Sequence, residues 1–424
     1  MIVFLKKVRV KTIFSAFEPV MVEPLELFYL KSVLTSMNIE NHVIDELFEL
    51  HEPSGIIPDV VVLTGYNVAE NEIIKQAKNY KLKYPQVKII VGGVHIQGNS
   101  EAFHSDAIDY VCHTQSLSTF KELVNKIIIR DETPITGVDS LKSNNTDWNI
   151  SSKEVLETKE FIYPDRSFFN QYSHKLRYME KRNVALIKGS IGCPYNCSYC
   201  YCKLLNNGNY VKANYRDLIN EMESINADYF WIVDDVLFSN RADVLKFIEH
   251  IKSKNFKKKI IGYLRADFIL REKDLLPLLK EAGIVEIIVG FEATDNDELN
   301  KYQKATNALD YPEVINLLNR YDIDLTALFM VQPEYTLKDF RKLYRFIKNN
   351  NIDVYTVSIL TPIKGTRDYD LLKDKLIVDN PEKFDFLHLV LKPRLPKWLF
   401  YIMFYGVHIR LLKSKRVWKY ISRR

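Results

Sequence analysis

Two α/β domains in series are what this sequence predicts: a doubly wound domain, then a six-stranded partial barrel of parallel strands with a short helical C-terminal extension. Three observations carry that reading. Short β-branched runs alternate with amphipathic helical patterns over residues 1–130. The alternation restarts at Asn183 and repeats through six strand candidates. Between the two series lies a polar, aperiodic stretch that lacks the rhythm. Strands alternating with helices make parallel sheets covered by helices.

The elements follow in chain order. Residues 1–7 open a first strand, and 10–14 are also strand-like. Over 25–37, Leu27, Leu30, Val33 and Leu34 recur at helical spacing. Residues 43–44 are β-like, and 60–63 and 89–91 are unbroken apolar runs, as strands buried on both faces require. Residues 71–83 form a helix stopped by Pro85, and 117–129 carry a stripe of Leu117, Phe120, Leu123, Val124 and Ile127.

Residues 131–182 read as linker and lead-in, polar around Asn144-Asn145 and aromatic at Phe168, Phe169 and Tyr172, which should pack on one domain or the other. The second series, 183–385, has strand candidates at 184–188, 229–233, 260–264, 285–290, 325–331 and 354–360. Helical stripes fall at 241–254, 311–321 and 337–347. In such barrels chemistry sits at the carboxyl ends of the strands. Those ends hold Gly189 to Cys193, Asp234-Asp235, Arg265, Gly290-Phe291-Glu292, Gln332, Glu334, and Thr361 to Thr366.

With 47% hydrophobic and 27% charged residues in 424, the chain can build cores, which excludes disorder over most of its length. The formal charge of +5 is uneven. Residues 386–424 hold ten Lys and Arg and no Asp or Glu, so the rest carries −5. A nucleic-acid partner is therefore not expected. No run reaches the roughly 18–20 apolar residues of a membrane span, and the start lacks a signal-peptide pattern. A cytoplasmic location is the expectation. The basic, aromatic tail has two readings: a helix pair docked on the barrel, or an interfacial segment touching anionic lipid at the inner face of the membrane or a lipid-like substrate.

Cys193, Cys197 and Cys200 form C-x3-C-x2-C on one short loop. Three thiolates so spaced can hold three irons of a 4Fe-4S cluster and leave the fourth open to a chelating small molecule. Structural zinc, the alternative, wants four closed ligands, commonly as separated pairs, and no second pair exists. Cys112 and Cys202 read as small buried residues. The strand-end residues have structural readings too: Asp234 or Asp235 could cap the following helix, and Arg265 could pair with Asp267 or Glu292.

The cysteine motif, the aromatic Tyr199 before its third cysteine and the six-unit barrel resemble the radical S-adenosylmethionine (SAM) superfamily over about residues 183–370. That resemblance implies a TIM-like partial barrel and a 4Fe-4S cluster on Cys193, Cys197 and Cys200. It also implies SAM on the open iron, cleaved reductively to methionine and a 5′-deoxyadenosyl radical with electrons from a flavodoxin or ferredoxin. By position, Asp234 and Asp235 would meet the methionine amino group, Arg265 its carboxylate, Glu292 the ribose and Thr366 the adenine region. The turn at Val331-Gln332-Pro333-Glu334 departs from the family pattern.

The amino-terminal domain resembles the Rossmann-like cobalamin-binding domain of one branch of that superfamily. The matching residues are Glu23-Pro24-Leu25, Val43-Ile44-Asp45, Val91-Gly92-Gly93-Val94-His95 and Asp109-Tyr110-Val111, with Gly92 and Gly93 letting a ligand approach the backbone. Two departures stand out. The loop 15–19 lacks a cobalt-ligating histidine motif, and Cys112 to Ser116 replaces a Gly-Glu-Gly-Glu segment. His51 reads as a surface residue. With cobalamin, C-methylation of a small-molecule or lipid-like substrate is implied. Without it, rearrangement or oxidative cyclisation is open, and a non-catalytic metal-binding scaffold is the competing class.

Overall fold

The structure is a computed structural model that describes residues 1–10, 19–142, 146–254 and 256–422. Most of the expected strand 10–14 and loop 15–19, and Asn144-Asn145, lie outside the described residues.

The first sheet has the spatial order Glu40–Ile44, Ile2–Lys7, Val60–Thr64, Lys88–Gly92, Tyr110–Cys112, Val138–Leu141 and Trp148–Asn149. The first five strands are parallel and the last two antiparallel. Part of the stretch read as linker thus extends this sheet. Successive strand residues point to opposite faces, and the core follows. Val60 and Val62 meet Leu27, Leu34, Phe120 and Leu123 of helices Leu25–Ser36 and Leu117–Ile129. Val61 and Leu63 meet Ile73, Ala77 and Tyr80 of helix Glu70–Lys83. The chain order reverses beside the central strand Ile2–Lys7, and in doubly wound sheets a ligand crevice opens at the carboxyl ends there.

The second sheet holds Val184–Ile187, Tyr229–Ile232, Lys259–Tyr263, Ile284–Glu292, Asp324–Val331 and Val354–Ile359, all parallel and in sequence order. Its first and sixth strands do not pair among the described residues, so the barrel is partial. Tyr178, Val184, Ile261 and Ile288 fill its middle with Trp231, Tyr263 and Leu328. Its base, at the amino ends of the strands, is ionic. Glu286, fully buried, accepts from both Lys181 and Arg416, and Arg416 also donates to Glu180 at 2.7 Å.

Arg416 belongs to the C-terminal extension, which docks on the barrel. Phe400 and Phe404 of helix Lys397–His408 are fully buried, Phe400 lies edge-on to Phe340, and the Tyr355 hydroxyl donates to the Val407 carbonyl at 2.7 Å.

The aromatic lead-in joins the two domains. Phe168 packs on Phe28 and Phe48 of the first domain, and all three share one core with the barrel helices. Glu23, buried just before helix Leu25–Ser36, accepts from the Leu186 amide at 2.9 Å and from Arg166 at 2.7 Å. Arg166 also donates to the Leu186 carbonyl and to Glu221. These contacts set the carboxyl ends of both sheets around one space.

Candidate active site between the two domains

That space is a cavity of about 820 Å³, toward the upper end of the roughly 300–1,000 Å³ typical of small-molecule sites. Its barrel side includes Cys193, Cys197, Cys200, Asp234, Asp235, Arg265 and Glu292, and its other side Gly92, Gly93, Cys112 and Thr114. The site residues expected from sequence meet here, with one exception. Thr366 is not in the cavity wall. Its hydroxyl accepts from the Tyr369 amide and donates to the Ile363 carbonyl, so it caps helix Arg367–Leu372.

The cysteine loop is pinned from three sides. The Asp234 carboxylate accepts from the Gly189 and Ser190 amides at 2.7 and 2.9 Å. The Ser198 amide donates to Tyr302 O at 3.0 Å, and Tyr199 lies edge-on to Tyr302 at 5.3 Å. Gly192 has φ +76°, and a Cβ there would stand 2.8 Å from the Asn209 carbonyl oxygen. No other residue type turns that corner without strain. Asp234 Oδ1 therefore pins backbone, and the residue lines the cavity as well.

Asp235 differs. Its Oδ1 accepts from the Cys202 thiol at 3.2 Å, while its Oδ2 is buried and lacks a hydrogen-bond partner. A buried, unmet carboxylate oxygen is costly, and an ammonium group is the donor that suits it best. Arg265 stacks on the Tyr195 ring at 3.9 Å, donates to Asp267 at 2.8 Å and holds Nη1 3.9 Å from Cys197 Sγ. Glu292 pairs with buried Lys304 at 3.0 Å.

Burial pushes the Cys193 thiol up to about 11. It raises Cys197 too, against the pull of Lys304 and Arg265. The neighbouring Cys202 lowers Cys200, against burial. Metal ligation removes such thiol protons outright. Three thiols of one short loop lining the cavity, with Arg265 and Lys304 beside Cys197, match a cluster with an open iron better than a closed zinc site.

On the opposite wall Gly93 has φ +125°, and a Cβ there would lie 2.8 Å from Thr64 Oγ1. The glycine keeps backbone bare where the strand ends open to the cavity. The departing segment Cys112 to Ser116 is held by local bonds. His113 and His104 both meet the Asp139 carboxylate, and Ser116 caps helix Leu117–Ile129. Cys112 and Cys202 both line the cavity, a place the sequence did not suggest for either. Lys159 of the lead-in also lines it; no carboxylate among the described residues pairs with it, and burial lowers its pKa. The lead-in has no periodicity, so nothing in sequence aimed Lys159 here. His51 is exposed.

Comparisons with known proteins agree with this geometry. The family model of the radical SAM superfamily matches residues 187–347. The chain is 24% identical to the hopanoid C-3 methylase of Methylococcus capsulatus, over 87% of this chain and 70% of that protein. It is 25% identical to the anaerobic magnesium-protoporphyrin IX monomethyl ester cyclase of Synechocystis, over 58% of this chain and half of that protein. In fold it is similar to TsrM, a radical SAM methyltransferase from Kitasatospora setae with cobalamin and a 4Fe-4S cluster bound. There the TM-score is 0.70 at 15% identity, covering 93% of this chain and 82% of that one. With the cysteine loop and the six-stranded partial barrel in place, residues 187–347 form a radical SAM domain, and the protein is a radical SAM enzyme of the 4Fe-4S cluster and SAM.

Proposed function

We propose that the enzyme transfers a methyl group to carbon, with the SAM site and a cobalamin site at opposite ends of the interdomain cavity. The observation that carries this reading is the cavity itself, with three thiols and an unmet carboxylate oxygen at one end and the bare Gly92-Gly93 backbone at the other. When bound, a 4Fe-4S cluster supplies the electron that cleaves SAM and a corrin supplies a methyl carrier.

The chain's own residues bind and orient. Cys193, Cys197 and Cys200 would hold the cluster. Asp235 Oδ2 would accept from the methionine ammonium, and Arg265, held beside Cys197 by Asp267 and the Ala305 carbonyl, would meet the carboxylate. Glu292, steadied by Lys304, would take ribose hydroxyls. Asp234 would hold the loop through its Oδ1. Trp231, Tyr263, Ile288 and Leu328 floor the cavity with apolar surface, which keeps water away from a reactive intermediate.

A large, mostly apolar, polycyclic or lipid-like molecule suits this wall, and the relatives' names point to the same class. A flavodoxin or ferredoxin would supply the electrons. The second reading is oxidative cyclisation or rearrangement without cobalamin, favoured by the Cys112 to Ser116 segment, where His113 is engaged with Asp139, Thr114 with Glu154, Gln115 with Gln97 and Ser116 with Ser118. No described helix is long and apolar enough to cross a membrane.

The test is turnover under anaerobic conditions with methyl-labelled SAM, with and without added cobalamin, against a panel of polycyclic lipids and tetrapyrroles. Cobalamin-dependent label in a carbon-bound methyl supports the reading. SAM cleavage and product formation indifferent to cobalamin favour the second.

A further inference from the structure

The C-terminal helices carry more apolar surface than docking uses. Phe400, Phe404 and Val407 cover the barrel side of helix Lys397–His408. A surface helix ordinarily has one such stripe and a polar opposite face. Here the outward face is apolar as well. Trp398, Ile402, Tyr405, Ile409 and Leu412 recur at alternating steps of four and three and are 65, 59, 42, 61 and 60% exposed. Trp418 and Ile421 add to them from helix Lys415–Ile421. Exposed apolar residues scattered singly need no explanation, but a continuous row does.

The charges that this segment itself brings to the rim of the row have one sign, with Asp353 of the barrel, bonded to Ser414, as a neighbouring carboxylate. Lys392, Arg394, Lys397, Lys413, Lys415 and Lys419 are exposed, and residues 386–424 contain no carboxylate side chain. Arg416, turned inward to Glu286, is the cation that this segment gives to the fold. Indole and phenol rings backed by lysines suit the boundary between headgroups and acyl chains. A second copy of the chain is the other candidate occupant. A two-fold contact would set this rim against itself, and like charges oppose that pairing.

We propose that this face docks the enzyme on an anionic lipid bilayer, lying in the interface without crossing it. Arg416 meets Glu286 and Asp324 at the amino ends of their strands, whereas the cavity opens at the carboxyl ends. The docked face therefore holds the enzyme at the surface and does not seal the cavity. The inference stands apart from the methyl-transfer reading, because no residue of the cavity enters it.

The experiment is vesicle flotation of the full chain with phosphatidylglycerol-rich and with pure phosphatidylcholine vesicles, across a salt series. Two variants accompany it, Trp398→Glu with Ile402→Glu, and Lys413→Glu with Lys415→Glu and Lys419→Glu. Because these side chains are exposed, thermal melts should match the parent. The expected result is flotation with anionic vesicles that weakens with salt and falls by roughly tenfold or more in each variant. No flotation of the parent, or equal flotation of parent and both variants, overturns the proposal. So does a dimer in light scattering that the first variant dissociates while vesicle binding is absent.

Discussion

At the residue scale, the paired aspartates separate into two jobs that the sequence could not tell apart. Asp234 Oδ1 accepts from both the Gly189 and Ser190 amides, and Asp235 keeps its buried Oδ2 unmet. Asp235→Asn should therefore weaken SAM binding by roughly 10–100-fold, the worth of about 1.5–3 kcal/mol for a charge-assisted bond, with the melting temperature little changed. Asp234→Asn should lower the melting temperature and the yield of reconstituted cluster together. Calorimetric titration with SAM and iron quantification separate the two. A third carboxylate, Glu298, is raised to about 7, chiefly by burial, although the Tyr335 hydroxyl donates to it and Lys342 is near; Asp295 and Asp339 add to the rise. A carboxyl whose folded pKa lies above its unfolded value holds more protons when folded, so stability falls as pH rises from about 4.5 to 7. Glu298→Gln, which still accepts from Tyr335, should melt higher than the parent at pH 8 and show a smaller difference at pH 5. Thermal melts at both pH values check this.

At the element scale, the C-terminal extension is part of the barrel. Removing Arg416 leaves Glu286 buried with one cation, Lys181, where there were two. Breaking a buried ion pair costs about 3–5 kcal/mol, so Arg416→Leu should lower the denaturation midpoint substantially, as chemical denaturation would show. Truncation at residue 386 exposes Phe400 and Phe404's partners and should fail to give soluble protein. Lipid binding is for that reason read from surface variants. The elements themselves were largely legible in sequence, since unbroken β-branched runs and helical stripes report burial directly. Val138–Leu141 and Trp148–Asn149 were not, because strands this short are held by pairing with neighbours rather than by an apolar pattern of their own. Thr366 shows the converse: its motif position resembled a ligand site, while its hydroxyl caps a helix.

At the scale of the whole molecule, function depends on two sheets facing each other at their carboxyl ends. Sequence placed the cysteine loop, Asp235, Arg265 and Gly92-Gly93 at strand ends. It could not show that they face one cavity, since that depends on Glu23, Arg166 and Phe168 fixing the angle between domains. Cys202 and Lys159 were missed for the same reason, as each reaches the wall from a segment without periodicity. Gly93→Val fills the backbone opening at a left-handed φ and should abolish cobalamin retention on gel filtration while SAM cleavage continues. The most direct measurement of the central claim is anaerobic reconstitution with iron and sulfide, followed by reduction in the presence of SAM and quantification of 5′-deoxyadenosine. Visible iron–sulfur absorption and 5′-deoxyadenosine in the parent, both lost when Cys193, Cys197 and Cys200 are replaced by Ala, are the predicted result. A colourless parent, or a cluster that persists in the triple variant, would contradict it.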